Sequence, residues 1–196
     1  MFFRASSSRQ QVLDSVEWML PAGEQIVRSA LRQYVQDYAQ WRRLYRHATE
    51  ASIINDLMWH RAVQKFQDHR RIRFASINQL DLAVIDGRYG IRFKMLRPDK
   101  RTENIETEQQ SLFDSQQLCL PDLPNPLVTL NVGYVPEEVE LSLSSIFITR
   151  PRAGGAVDWW YELGDSNVTE LPLHQAEPQE RQVQPRARRA AHTGRE

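Results

Sequence analysis

The chain has 196 residues, with 25 lysines and arginines against 25 aspartates and glutamates and a hydrophobic share of 41%. That length suits one sizeable domain, and the balanced charge excludes a global field drawing the whole molecule onto nucleic acid or a membrane, so any such contact has to be local. No stretch approaches the roughly 18 apolar residues of a membrane span, residues 1–4 are not followed by the apolar run of a leader, and the lone Cys119 has no partner for a disulfide or a metal knuckle.

The location expected from this is cytosolic, with Cys119 a buried or half-buried small hydrophobe. Along the chain, residues 9–20 place Val12, Val16 and Met19 or Leu20 on one side at helical spacing, and Pro21 marks the expected end of a short helix. From 22 to 47 the positions Val27, Ala30, Leu31, Tyr34, Tyr38, Trp41 and Tyr45 keep i, i+3, i+4 spacing, which predicts the longest helix. Thr49 and Ser52 offer a cap or bend before a third helix over 53–68, striped by Ile54, Leu57, Met58, Ala62 and Phe66.

Composition changes near residue 71. Alternation over 71–77 predicts a strand, and residues 80–93 predict a β-hairpin closed by Asp86-Gly87, a pair suited to a type I′ turn because both central residues need φ > 0. A two-residue turn sets Ile85 opposite Arg88, Val84 opposite Tyr89, Leu82 opposite Ile91 and Leu80 opposite Phe93. One face then carries Leu80, Leu82, Val84, Tyr89, Ile91 and Phe93, and the other pairs Asp81 with Arg92 and Gln79 with Lys94.

Pro98 ends the second arm. Thr107 and Gln110 are spaced as a capping box ahead of a short helix carrying Leu112 and Phe113. Pro121, Pro124 and Pro126 keep the following stretch extended, and 127–134 reads as a strand. A second hairpin runs from 144 to 163 through Gly154-Gly155, setting Ile148 opposite Tyr161, Ile146 opposite Leu163, Phe147 opposite Glu162 and Thr149 opposite Trp160. Past Gly164 the apolar density collapses, and disorder is predicted over 165–196.

The expected fold class is therefore α+β: a helical part over 1–70 and a sheet part over 71–164 forming one domain. The helices cover one face of an antiparallel sheet of about five strands built from two hairpins, and a disordered tail follows.

No constellation in the sequence carries a reaction. The helical histidines form no His-Glu-x-x-His pair, and Asp56 four residues before His60 reads as an exposed helix-stabilising pair. Asp81, Asp86 and Lys94 are superficially similar to a nuclease signature, but Arg92 occupies the position two before Lys94 where a carboxylate is needed. Phosphate-binding loops and nucleophile elbows are absent. The sequence thus assigns no catalytic residue, no metal ligand and no cofactor.

Two features point to contacts. Arg88, Arg92, Lys94, Arg97, Lys100 and Arg101 concentrate positive charge around the first hairpin and its exit, a rim suited to a phosphate backbone. Trp159 and Trp160 are adjacent, so in a strand they point to opposite faces, and a protein partner is one way to cover the second ring.

The run from Val84 to Arg88, the segment Arg92 to Arg97, the stretch Arg101 to Phe113, then Leu130 to Tyr134 and Trp160 to Leu163, resembles a bacterial and prophage family over about residues 50 to 163. Its members are similar to small companions encoded beside genes that join an Xre-type DNA-binding module to an ImmA/IrrE-like metallopeptidase. The resemblance implies a toxin–antitoxin-like setting and a protein partner encoded nearby, and it transfers no catalytic signature.

Overall fold

A computed structural model describes residues 8–77, 80–102, 107–123, 125–137, 141 and 144–164. The tail expected to be disordered and Gln79, with its expected pairing to Lys94, lie outside these residues. The fold is α+β. Three helices, α1 (Arg9–Val16), α2 (Leu20–Tyr38) and α3 (His47–Phe66), precede strands β1 (Ile72–Ile77), β2 (Leu80–Ile85) and β3 (Tyr89–Met95). A short helix α4 (Glu108–Asp114) is followed by β4 (Val128–Val135), β5 (Ser145–Arg152) and β6 (Ala156–Leu163). No helix among the described residues is long and apolar enough to cross a membrane.

The six strands form one sheet in sequence order, where the sequence suggested about five. The sheet is mixed, because β3 and β4 pair in parallel, Ile91 with Leu130 and Phe93 with Val132. Parallel neighbours need a crossover, and residues 96–127 supply it. That crossover carries α4 onto the face opposite the three long helices.

Both faces of the sheet are therefore covered. On the helix side, Val27, Leu31, Tyr34, Ile54 and Met58 pack against Ile85, Ile91, Val132, Tyr134 and Ile148. On the other side, Leu80, Leu82 and Val84 pack against Phe113, Leu118, Leu120 and Leu127. Fully burying a side chain of this size contributes about 1.5–3 kcal/mol, so the crossover secures a second core as well as a change of strand direction.

The first hairpin departs from its expected register by one residue. Asp86 and Gly87 do adopt left-handed φ of 51° and 63°, and the Arg88 amide donates to the Ile85 carbonyl. The Arg88 carbonyl, however, accepts from the Val128 amide of β4 instead of closing the hairpin. Ile85 then pairs with Tyr89 and Ala83 with Ile91. Leu80, Leu82 and Val84 thus face the α4 side while Tyr89, Ile91 and Phe93 face the helices. All six are buried, on two faces in place of one, and the expected pairing of Asp81 with Arg92 is lost with the shift. Asp86 is also gripped by Arg71, whose Nε and Nη2 donate to the two carboxylate oxygens at 2.9 and 2.7 Å.

The second hairpin keeps its expected register: Ile148 opposite Tyr161, Ile146 opposite Leu163, Phe147 opposite Glu162 and Thr149 opposite Trp160. Other boundaries move. Pro21 lies in the first turn of α2 and does not end a helix there, a position where its missing N–H and fixed φ cost nothing. The expected helix over 22–47 stops at Tyr38 and continues as a 3-10 segment, Ala39–Leu44, leaving Trp41 exposed. The third helix begins at His47, and α3 is marginally the longest helix, with 20 residues against 19 in α2. Cys119 is exposed, because Leu118 and Leu120 on either side turn into the second core.

Candidate functional site

Neighbouring residues of a strand point to opposite faces, and β6 separates the two tryptophans in this way. Trp159 packs against the helix-side core. Trp160 lies on the α4 side of the sheet, 47% exposed. Its ring meets Phe147 of β5 edge to face, with centroids 5.6 Å apart at 87°. Lys100, arriving from the turn after β3, places Nζ 4.2 Å from the Phe147 centroid and 5.6 Å from that of Trp160, a cation held on a two-ring platform. On the opposite face of β6, Tyr161 is 42% exposed, with the Arg9 guanidinium 5.7 Å from its ring. Because β6 is the last strand of the sheet, these aromatics flank an edge whose outer backbone groups pair with no further strand among the described residues.

The six basic residues do not share one rim. Arg88 sits in the hairpin turn, 5.3 Å from the Tyr89 ring. Arg97, Lys100 and Arg101 lie past the other end of β3, in a turn closed by the Arg97 amide donating to the Arg101 carbonyl at 2.8 Å. At about 3.3 Å per residue the two groups are roughly 25–30 Å apart along the strand. Arg92 and Lys94, between them, point into the layer under α4.

There the structure builds a polar network that the sequence did not reveal. Thr107 caps α4, accepting from the Gln110 amide at 3.1 Å. The Gln110 side chain does not return to the cap: its Oε1 accepts from Arg92 Nη1, and its Nε2 donates to Asp114 Oδ1 at 2.8 Å. Gln110 and Asp114 are both buried, and the Arg92 guanidinium lies over the Phe113 ring at 5.3 Å. Gln110 carried a signal only as a capping residue; its i, i+4 relation to Asp114 is the trace that would have suggested a side-chain bridge.

Burial dominates the electrostatics of this network. It lowers Arg92 to about 10 against the pull of Asp114 and Asp81. It lowers Lys94 to about 8, helped by repulsion from Arg92 and opposed by Asp114. Burial also raises Asp114, opposed by the Gln110 hydrogen bond and the two cations. The consequence for Lys94 is testable. Between about 8 and its ordinary 10.5, the unfolded chain holds a proton that the folded one has released, so stability rises with pH across that window, at up to ~1.4 kcal/mol per unit. Urea unfolding should show this rise between pH 8 and pH 10, and Lys94→Met should abolish it while raising stability at pH 7 by ~2 kcal/mol. A Lys94→Met variant less stable at pH 7 would show that the ammonium is a needed partner.

Among the described residues no group of three or more His, Cys, Asp or Glu is placed to hold a metal ion. Chemically, then, the structure brings together a buried cation–amide–carboxylate network and an exposed aromatic strand edge. No protein-family model, curated protein or solved structure matches this chain.

Proposed function

We propose that the chain is a non-enzymatic interaction component that docks through the β6 edge, with the protein encoded beside it, an Xre/ImmA-IrrE-like product in a toxin–antitoxin-like pair, as its partner. The observation that supports this reading is Trp160, half exposed on the terminal strand and braced by Phe147 and Lys100. Trp160 and Tyr161 flank the strand on opposite faces, so a partner segment adding to β6 would be covered on both sides, with main-chain hydrogen bonds giving affinity and the aromatics giving selectivity. Asp158 and Glu162 share the Trp160 face, and charge on an edge strand discourages indiscriminate pairing. The identity of the partner rests on the sequence resemblance alone.

Co-expression with the adjacent gene's product tests the reading. A complex should form. Trp160→Ala should weaken it about 30-fold or more, the effect of losing an aromatic hot spot, without unfolding the chain. Trp159→Ala should instead lower the melting temperature, because that ring, partly buried, packs against the helix-side core. A folded Trp160→Ala variant that binds with unchanged affinity would defeat the proposal. Complex formation that falls steeply with salt would favour phosphate-type contacts through Arg88, Arg97 and Arg101 instead.

A further inference from the structure

A cleft of about 320 Å³ opens beyond the carboxyl ends of the two parallel strands. Its floor is Met95, Leu96 and Tyr134. Arg97 and Pro136 form its rim, and Arg42, His47 and Glu50 descend from the segment joining α2 to α3 and from the first turn of α3. The position follows from the topology: where parallel strands end, the chain must leave the sheet, and the departing loops wall a crevice. The volume is at the small end of the range for ligand pockets.

One atom makes this more than a surface depression. Tyr134 lines the cleft and is fully buried, yet its hydroxyl has no hydrogen-bond partner. A buried polar group left unpaired costs about 1–3 kcal/mol, which a core position would escape with phenylalanine. Tyr34, also buried, approaches Glu50 without a well-aligned hydrogen bond. Burial and the neighbouring carboxylate push Tyr34 up to about 12 and push Tyr134 up further, so both hydroxyls keep their protons. Glu50 Oε1 forms an ion pair with Arg42 Nε at 3.0 Å, but without an aligned hydrogen bond. The polar groups in and beside the cleft are therefore mostly donors: two phenols and two guanidiniums, against one carboxylate ion-paired with Arg42. The rest of the lining is apolar, including Met95, Leu96, Val135 and Leu141.

We infer that this cleft binds a small organic carboxylate carrying an apolar body, with the Tyr134 hydroxyl donating to the carboxylate, the Arg97 guanidinium supplying positive charge at the rim, and the aliphatic lining enclosing the body. The site stands on a different part of the molecule from the β6 edge, and neither proposal depends on the other.

The test is calorimetric titration of the full chain with acetate, benzoate and phenylacetate, with benzyl alcohol and inorganic phosphate as controls. Benzoate or phenylacetate should bind at millimolar concentration or below and more tightly than acetate, and benzyl alcohol should not bind. Tyr134→Phe should weaken the preferred carboxylate about tenfold or more, as expected for loss of a hydrogen bond to a charged group. The same variant should leave the stability of the ligand-free chain unchanged or raised, since the hydroxyl it removes is unpaired; that pairing of effects separates a binding role from a structural one. Failure of all three carboxylates to bind would overturn the proposal, as would a folded Tyr134→Phe variant of unchanged affinity. Phosphate binding as tight as benzoate would overturn the apolar half of it.

Discussion

Replacing Gly133 with alanine is expected to destabilise the chain by about 3 kcal/mol or more, one of the largest effects of any single methyl group in this molecule. Gly133 lies in β4 between Lys94 of parallel β3 and Phe147 of antiparallel β5. A Cβ there would stand 2.0 Å from the Lys94 carbonyl oxygen, 3.0 Å from its carbon and 3.1 Å from Leu96 Cγ. The first two atoms are backbone, so no rotamer change relieves the clash. The strands would have to part at their carboxyl ends, where the Leu96 amide donates to the Tyr134 carbonyl at 2.8 Å. Gly23 in α2 provides the control, because a Cβ there meets only Met19 Cε at 3.4 Å and Val132 Cγ1 at 3.7 Å. Alanine is the better helix former by about 0.5–1 kcal/mol, so Gly23→Ala should stabilise. Urea midpoints of the two variants should move in opposite directions. A Gly133→Ala variant within about 1 kcal/mol of the parent would show that β3 and β4 do not meet in this register.

The local features of the fold were legible in the sequence, and the long-range ones were not. The β5–β6 register could be read because the Gly154-Gly155 pair marks where the chain turns, and an irregularity at Arg150/Pro151 leaves the pairs beyond it where a two-residue turn would put them. In β2, by contrast, Leu82, Ala83, Val84 and Ile85 form an unbroken apolar run, buried on both faces, so alternation could not fix which side is which. The one-residue slip depends on a hydrogen bond to Val128, 40 positions beyond Arg88, and no turn rule contains that information. Parallel pairing was hidden for a similar reason: the crossover between β3 and β4 holds a helix of only seven residues.

The candidate sites divide along the same line. Adjacency alone placed Trp159 and Trp160 on opposite faces, but which ring is core depends on where α1 to α3 pack. Arg92 and Lys94 look like surface charges in a one-dimensional reading, because the helix that covers them arrives 14 to 22 residues later along the chain. Tyr134 reads as an ordinary strand aromatic. Only the packed structure shows its hydroxyl unpaired beside a cleft.

The second large effect expected is at Arg92. Arg92→Ala would leave the Gln110 Oε1 without a donor and deprive the buried Asp114 of one of the two cations that act on it, and leaving a buried polar group without its partner costs about 1–3 kcal/mol, more where a charge is involved. Converting the hydrogen-bonded trio to apolar residues, Arg92→Met with Gln110→Leu and Asp114→Leu, should cost less than Arg92→Ala alone, because none of the three is then left with an unpaired hydrogen-bonding group. Lys94 would lose both its repulsion from Arg92 and its attraction to Asp114, two effects of opposite sign. A cycle of single and combined variants followed by urea unfolding should therefore be strongly non-additive; additive losses would show that the three side chains do not act as a unit. The loss at Arg92 should be felt first in α4. That helix is tied to the sheet by Thr129 Oγ1 donating to the Phe113 carbonyl at 2.6 Å, and just beyond it Gln116 Nε2 donates to the carbonyls of Thr129 and Pro151. Hydrogen exchange in Arg92→Ala should accordingly rise over 108–129 before it rises in α2 or α3, whose core lies on the other face.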